Sequence, residues 1–126
     1  MDFNEYQAFT RTTAKYQDAC HSESAKIVYC LFGLAGEMGE SFEKLKKVLR
    51  VDGFDGIEMA LFPSLKTAES ERFRELMKKE MGDILWYLAR LADEMGMSFQ
   101  DVAATNVAKL SDRKVRGVLH AEGDER

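Results

Sequence analysis

Residues 24–50 read SAKIVYCLFGLAGEMGESFEKLKKVLR, and their apolar positions set the architecture. Ile27, Leu31, Leu34, Met38, Phe42, Leu45 and Leu49 recur at intervals of three and four, the spacing that lines one side of an α-helix, where a half-buried strand would alternate. A second helix is therefore expected from about Ser24 to Arg50, and the same period runs outward from it in both directions. A first helix is expected from about Asn4 to Ala19, with Tyr6, Phe9, Thr13 and Tyr16 along one stripe. A third is expected from about Glu69 to Met95, with Phe73, Met77, Ile84, Leu88, Leu91 and Met95 on one face. Gly96 then suits the left-handed position just past a helix end. Ser98 suits an N-cap, with Asp101 three residues on and Met97 and Val102 placed as a hydrophobic staple. A fourth helix follows to about Lys114, with Phe99, Val102, Ala103, Val107 and Leu110 inward. No stretch alternates like a strand, so the expected fold is an all-α four-helix bundle.

Between the second and third helices the period fails. Val51 to Thr67 contains Asp52-Gly53, Asp55-Gly56 and the one proline, Pro63, which are turn and breaker signals. A mostly irregular insert is expected there, although Phe54, Ile57, Met59, Leu61 and Phe62 are many apolar residues for a solvated linker. A covered loop, a short helix, a lid and a subunit contact all remain open. The tail from Gly117 to Arg126 is polar.

The chain has 126 residues, a length that suits one domain spanning 1–126. A domain of this size buries only roughly two-thirds of the surface its unfolded chain exposes. Long helices in so short a chain leave apolar faces uncovered, so self-association is expected. With 22 acidic against 18 basic residues the net charge is -4, which argues against a nucleic-acid partner, since such proteins usually carry a basic surplus. Cys20 and Cys30 fall in no metal-ligand or redox spacing, and a reducing compartment is the simpler expectation. The N-terminus is acidic and polar, unlike a signal peptide, and the apolar run from Ile27 to Gly36 is too short to span a bilayer. A cytoplasmic protein without a membrane partner is expected.

Two acidic pairs stand out. Glu37 and Glu40 are three residues apart on the second helix, and Glu80 and Asp83 are three apart on the third. At roughly 100° per residue, Glu80 falls inside the apolar arc, while Glu37 and Asp83 lie at the arc margins. An ionised carboxylate on a core-facing stripe is costly unless paired or metal-bound. Four carboxylates on facing helices would repel one another, by ~4 kcal/mol for a pair ~4 Å apart at an effective dielectric of 20. A divalent cation removes that cost, and oxygen-only ligands suit Mg²⁺. The plainer alternative is a set of surface acids paired with Lys44, Lys47 or Arg90.

Other residues also carry two readings. Gly33, Gly36, Gly39 and Gly82 lie inside helices, where each costs ~1 kcal/mol relative to alanine; they serve close helix packing, or leave room for metal, water and phosphate. Asn106, Lys109 and Arg113 share one face of the fourth helix. Such a face is either solvated or, beside a metal, a phosphate grip in which Arg can bind two oxygens. Trp86 and Tyr87 are core aromatics or a platform for a nucleobase. His21 and His120 lie in no metal or triad pattern, and their spacing excludes the Glu-x-x-His motifs of a bundle di-iron protein.

Taken in order, Gly33-Leu-Ala-Gly-Glu-Met-Gly-Glu40, Lys79-Glu-Met-Gly-Asp-Ile-Leu-Trp-Tyr-Leu88, Asn106-Val-Ala-Lys-Leu110, Arg113 and the tail from Arg116 to Arg126 resemble the MazG-like family of all-α NTP pyrophosphohydrolases. The resemblance covers nearly the whole chain outside the 51–67 insert. It departs at Gly36, where family members often have a further glutamate, and in the long stretch from Ser41 to Lys79.

The resemblance implies a MazG-like bundle that forms a homodimer or a dimer of dimers. It also implies Mg²⁺-dependent hydrolysis of a nucleoside triphosphate to monophosphate and pyrophosphate, with Mn²⁺ as a possible substitute. Carried over by position, Glu37, Glu40, Glu80 and Asp83 become metal ligands. Glu40 is the preferred water-orienting base and Glu37 the second catalytic carboxylate. Asn106, Lys109 and Arg113 become phosphate contacts, and Trp86 a candidate base contact. The rival expectations are a related hydrolase acting on a nucleoside diphosphate or phosphoribosyl-ATP, and a non-catalytic helical dimerisation or regulatory module.

Overall fold

The computed structural model describes residues 1–61 and 68–117. In chain order it contains α1 (Phe3–Thr13), a 3-10 turn (Tyr16–Asp18), α2 (Glu23–Leu61), α3 (Ala68–Glu94) and α4 (Phe99–Val115), with no strand among the described residues. The expected all-α, four-helix architecture is the observed one. α2 and α3 share the most extensive helix–helix interface; α1 packs on α3, α4 packs on α1 and α3, and the 3-10 turn rests on α2. No described helix is long and apolar enough to cross a membrane.

Local chemistry fixes the helix ends. α1 opens with a capping box: Asp2 accepts from the Glu5 N–H at 2.8 Å, and Glu5 accepts from the Asp2 N–H at 2.9 Å. This satisfies two amides that have no partner inside the helix. α3 ends in a Schellman arrangement, in which Gly96 takes φ +70. There the Met97 and Gly96 N–H groups donate to the Ala92 and Asp93 carbonyls at 2.8 and 3.0 Å. Ser98 caps α4, its Oγ accepting from the Asp101 N–H at 3.3 Å. The buried Gln7 amide closes this corner from α1, donating to the Met97 carbonyl at 2.9 Å and accepting from the Phe99 N–H at 3.1 Å.

The first helix ends at Thr13, well short of Ala19. Thr12 and Thr13 turn their hydroxyls back onto the Phe9 and Thr10 carbonyls at 2.7 and 3.0 Å, a local bond that competes with helix continuation. Ala14 leaves the helix with an extended ψ of 92. The break lets Tyr16 turn inward, where it is 5% exposed. α2 departs from expectation in the other direction. It breaks at Gly53 (φ 65, ψ -162), a conformation open essentially to glycine alone, as the Asp52-Gly53 signal implies. On either side of Gly53 the chain is helical as far as Leu61. That is the short-helix option for the insert, which is less irregular than its turn residues suggest. The rest of the insert, with Pro63, and the tail from Val118 lie outside the described residues.

The core is small. Ala89, Ala92 and Phe99 form its centre with Tyr6 and Leu85 packed against it, and the Phe3 ring meets Phe99 edge-on at 5.1 Å. The expected inward faces are only partly covered. Val102, Val107 and Leu110 of α4 are exposed, because α4 is flanked by α1 and α3 alone. Leu31, Met38, Phe42 and Leu49 of α2 and Leu88 and Met95 of α3 are exposed as well.

Arg90 has no exposed side-chain surface. Its Nε donates to the Tyr16 hydroxyl at 3.2 Å, one terminal nitrogen donates to Glu94 at 2.9 Å, and the other lies 2.8 Å from Asp93. Tyr16 in turn donates to Glu94 at 2.6 Å, and Arg11 of α1 pairs with Asp93. The Arg11 hydrogen bond, helped by Arg90, holds Asp93 below the usual carboxylate range. Burial pushes Glu94 up, but the hydrogen bonds from Tyr16, Gln17 and Arg90 outweigh it and leave Glu94 lowered too.

Carboxylates lowered in the fold contribute stability that is present above their ordinary pKa and lost as pH falls through the lowered values. Denaturant melts should therefore show stability falling below about pH 4. Arg90→Met should cost roughly 3–5 kcal/mol at neutral pH, the usual effect of stripping one partner from a buried charge network, and should flatten that acid limb. An unchanged urea midpoint would rule out this role for Arg90.

Candidate functional site

Where α2 faces α3, one carboxylate oxygen from each of Glu37, Glu40 and Glu80 lies within 4.8 Å of the other two. The helix period explains the α2 half: Glu37, Glu40 and Lys44, at intervals of three and four, share one face. Glu80 comes from inside the apolar arc of α3 and is only 7% exposed. Its Oε1 accepts from Lys44 Nζ at 2.7 Å, while its Oε2 is buried with no hydrogen-bond partner. Lys44 Nζ also lies 3.7 Å from Glu40.

One ammonium does not neutralise this cluster. Burial, followed by repulsion from Asp83, Glu40 and Glu80, pushes the Glu37 carboxyl up, and Lys44 only partly offsets the rise. An unpartnered buried carboxylate oxygen carries a desolvation cost that a direct ligand would remove. The donor set is oxygen only, which fits a hard divalent cation such as Mg²⁺ and fits softer metals poorly. The residues present are thus chemically suited to such an ion.

Asp83 stands one turn beyond Glu80 and is exposed. It is not one of the three clustered acids; with Glu37 it lines an adjoining open cavity of ≈ 360 Å³, together with Phe9, Thr13, Trp86 and Tyr87. Trp86 is held there: its indole N–H donates to the Thr13 hydroxyl at 2.8 Å, and its ring meets Tyr16 and Tyr87 edge-on at 6.2 and 4.9 Å. Burial first, then its contact with Tyr29, raises the Tyr87 phenol to about 12, so it stays neutral. Phe9 is 58% exposed at the other side of the cavity.

The glycines divide between their two readings. A Cβ on Gly33 would sit 2.0 Å from the Tyr87 ring, so Gly33 permits the close approach of α2 and α3. A Cβ on Gly36, Gly39 or Gly82 would meet nothing within 4 Å, so close packing does not account for these three.

The basic set of α4 is elsewhere. Asn106 and Lys109 line a separate cavity of ≈ 510 Å³ with Phe3, Leu85 and Phe99. Arg113 lies a further turn along α4, and α4 makes no contact with α2 among the described residues. Within one chain these residues lie on the Leu85 side of α3, roughly opposite Asp83 around the helix, and do not join the acids. A third cavity of ≈ 360 Å³ opens on the far side of Lys44, where Lys44, Lys47 and Arg72 surround Val48, Val51, Phe73 and Leu76.

Sequence reasoning had Lys44 only as a pairing partner for surface acids, although its position four residues after Glu40 carries the signal. It also placed Phe9 and Thr13 on a packing stripe. Nothing in their spacing marks them as cavity walls, because that depends on where α1 lies on α3.

Residues 29–117 match the family model of the MazG nucleotide pyrophosphohydrolase domain. The match spans both acidic motifs and the basic set of α4. The chain is also similar to the Gene 37 protein of Mycobacterium phage L5, at 34% identity over 127 aligned residues covering 100% of both chains. No solved structure matches.

If the acids hold a divalent cation, millimolar Mg²⁺ should raise the melting temperature by several degrees over protein in EDTA, since a ligand at ~100 times its Kd stabilises the native state by ~2.7 kcal/mol. Glu80→Gln and Glu37→Gln should each remove most of that response. Glu43→Gln, whose carboxylate pairs with Lys46, should keep it. Thermal shift curves that respond equally in all four proteins would show that the ion binds elsewhere.

Proposed function

The chain belongs to the MazG nucleotide pyrophosphohydrolase family, and on that premise we propose that it is a Mg²⁺-dependent enzyme converting a nucleoside triphosphate to its monophosphate and pyrophosphate. The observation that carries the metal-dependent part is the convergence of Glu37, Glu40 and Glu80, with a buried Glu80 oxygen that has no hydrogen-bond partner among the described residues.

Glu37, Glu40 and Glu80 are the proposed ligands, with Asp83 completing the set from the next turn of α3. When bound, Mg²⁺, or Mn²⁺ in its place, supplies positive charge to the phosphates and acidifies a coordinated water. Glu40, the outermost of the three, orients the attacking water and accepts its proton, with Glu37 as the second carboxylate near the reacting atoms. Trp86 offers its face to the base from the cavity beside Glu37 and Asp83. Thr13 keeps that ring in position through the indole hydrogen bond. Asn106, Lys109 and Arg113 take the phosphates from the α4 side.

The exposed apolar faces favour a homodimer or a dimer of dimers. Phe32 and Phe42 of α2 are 75% and 67% exposed, more apolar surface than a solvated helix face needs. Net negative charge disfavours nucleic acid as a partner, and two free cysteines suit the reducing cytoplasm.

With a panel of nucleoside tri- and diphosphates, the product should be pyrophosphate from a triphosphate, lost in excess EDTA. Glu37→Gln, Glu80→Gln and Asp83→Asn should each cut turnover by orders of magnitude without unfolding the protein. Near-normal rates in all three, or orthophosphate as the product, would overturn the assignment.

Kinetics also test the α4 residues. Lys109→Ala and Arg113→Ala should raise KM and lower kcat, because the phosphate charge they hold shifts as the bond breaks. Arg113→Lys should restore little, since an ammonium cannot reproduce a two-pronged contact. Lys46→Ala, on an exposed part of α2, controls for lost positive charge. Equal KM and kcat in Arg113→Ala and Lys46→Ala would make the basic set a solvated face.

A further inference from the structure

We propose that Lys44 is an exchangeable counterion of the acidic cluster, leaving Glu80 when a divalent cation binds and passing its charge to the phosphates of the incoming ligand. Lys44 Nζ lies 2.7 Å from Glu80 and 3.7 Å from Glu40, so it engages two of the three clustered carboxylates. The ammonium holds Glu80 Oε1 and leaves only Oε2 for a metal, and two cations brought onto the same carboxylate repel. Lys44 and the metal therefore compete.

The side chain also has somewhere to go. Lys44 lines the cavity formed with Lys47 and Arg72, whose floor includes the buried Phe73 and half-buried Val48 and Leu76. That floor can cover the apolar stem of a lysine while its ammonium swings on four flexible carbons. Without an anion, a third cation beside Lys47 and Arg72 is unfavourable, and Glu80 is the better partner. With a polyphosphate present, all three cations face negative charge. Metal and polyphosphate then each favour the displaced position of Lys44, so their binding is coupled, and the coupling is reciprocal.

This inference rests on the proposed metal site, and the test separates the two. Mg²⁺ alone is titrated calorimetrically into the full chain, and imidodiphosphate, a P–N–P analogue of a phosphoanhydride, is then titrated into Mg²⁺-saturated protein. Lys44→Met should tighten Mg²⁺ by about tenfold, the size of one charge-assisted hydrogen bond at a partly exposed site. The same variant should weaken imidodiphosphate by a similar factor. Lys44→Gln should show the same opposed pair of shifts, and it carries the test if Lys44→Met does not fold by circular dichroism. Lys46→Met should move neither affinity more than about twofold, as expected for an exposed, screened charge.

Unchanged or weaker Mg²⁺ binding in the folded Lys44 variants overturns the competition. Tighter Mg²⁺ with unchanged imidodiphosphate overturns the transfer. If Glu80→Gln binds Mg²⁺ as well as the parent protein does, the metal site itself is misplaced and the inference falls with it.

Discussion

The buried guanidinium of Arg90 joins parts of the chain that have no other reason to meet. A charge without exposed surface is tolerated only when it is paired, and Asp93 and Glu94 at the end of α3 neutralise it, with Tyr16 of the 3-10 turn accepting from its Nε. Arg11 extends the network to α1 through Asp93. Tyr16 can reach Arg90 only because α1 stops at Thr13. Once turned inward, Tyr16 stacks on Tyr29 of α2 at 4.6 Å and meets Trp86 edge-on. The same break leaves Thr13 at the end of α1, where its hydroxyl receives the indole N–H. The position of the aromatic wall thus follows from the solvation of one arginine.

The acidic cluster shows the opposite condition. Arg90 is surrounded by compensating groups, whereas Glu37, Glu40 and Glu80 have one ammonium between them, and a buried oxygen of Glu80 has no partner. A core selected for stability alone would replace Glu80 with an apolar residue. Its place inside the α2–α3 interface is a local cost, which the proposed metal would offset. The two ionic clusters share α3, a few turns apart along it, and differ chiefly in how completely their charge is neutralised.

Coverage of the apolar surface follows from chain length. The long α2 and α3 pack face to face, and the short α1 and α4 cover only one flank of α3. Phe32 and Phe42 and the outward residues of α4 are left in solvent. A chain of this size does not enclose helices of that length, and the proposed second copy would bury the remainder.

The existence of the four helices, the caps between α3 and α4 and the pairing of acids within each helix were legible in the sequence because they depend on neighbours three and four residues away. The capping box at Asp2, the end of α1 at Thr13 and the extent of α2 were not read from it. Gly96 and Ser98 ended and began helices as their chemistry dictates, Asp52-Gly53 broke α2 at Gly53, and Glu80 lay in an apolar arc. The tertiary structure decided the rest. It selected three of the four acids to converge and sent Asp83 to the neighbouring cavity with Trp86. It gave Lys44 to Glu80 and set Asn106 and Lys109 on a separate flank. Each of those outcomes depends on how far a helix is rotated about its own axis and how closely it approaches its neighbour. Contacts such as Gly33 against Tyr87 and Arg90 against Tyr16 fix those quantities. A local period places residues on a face, and only packing determines what that face meets.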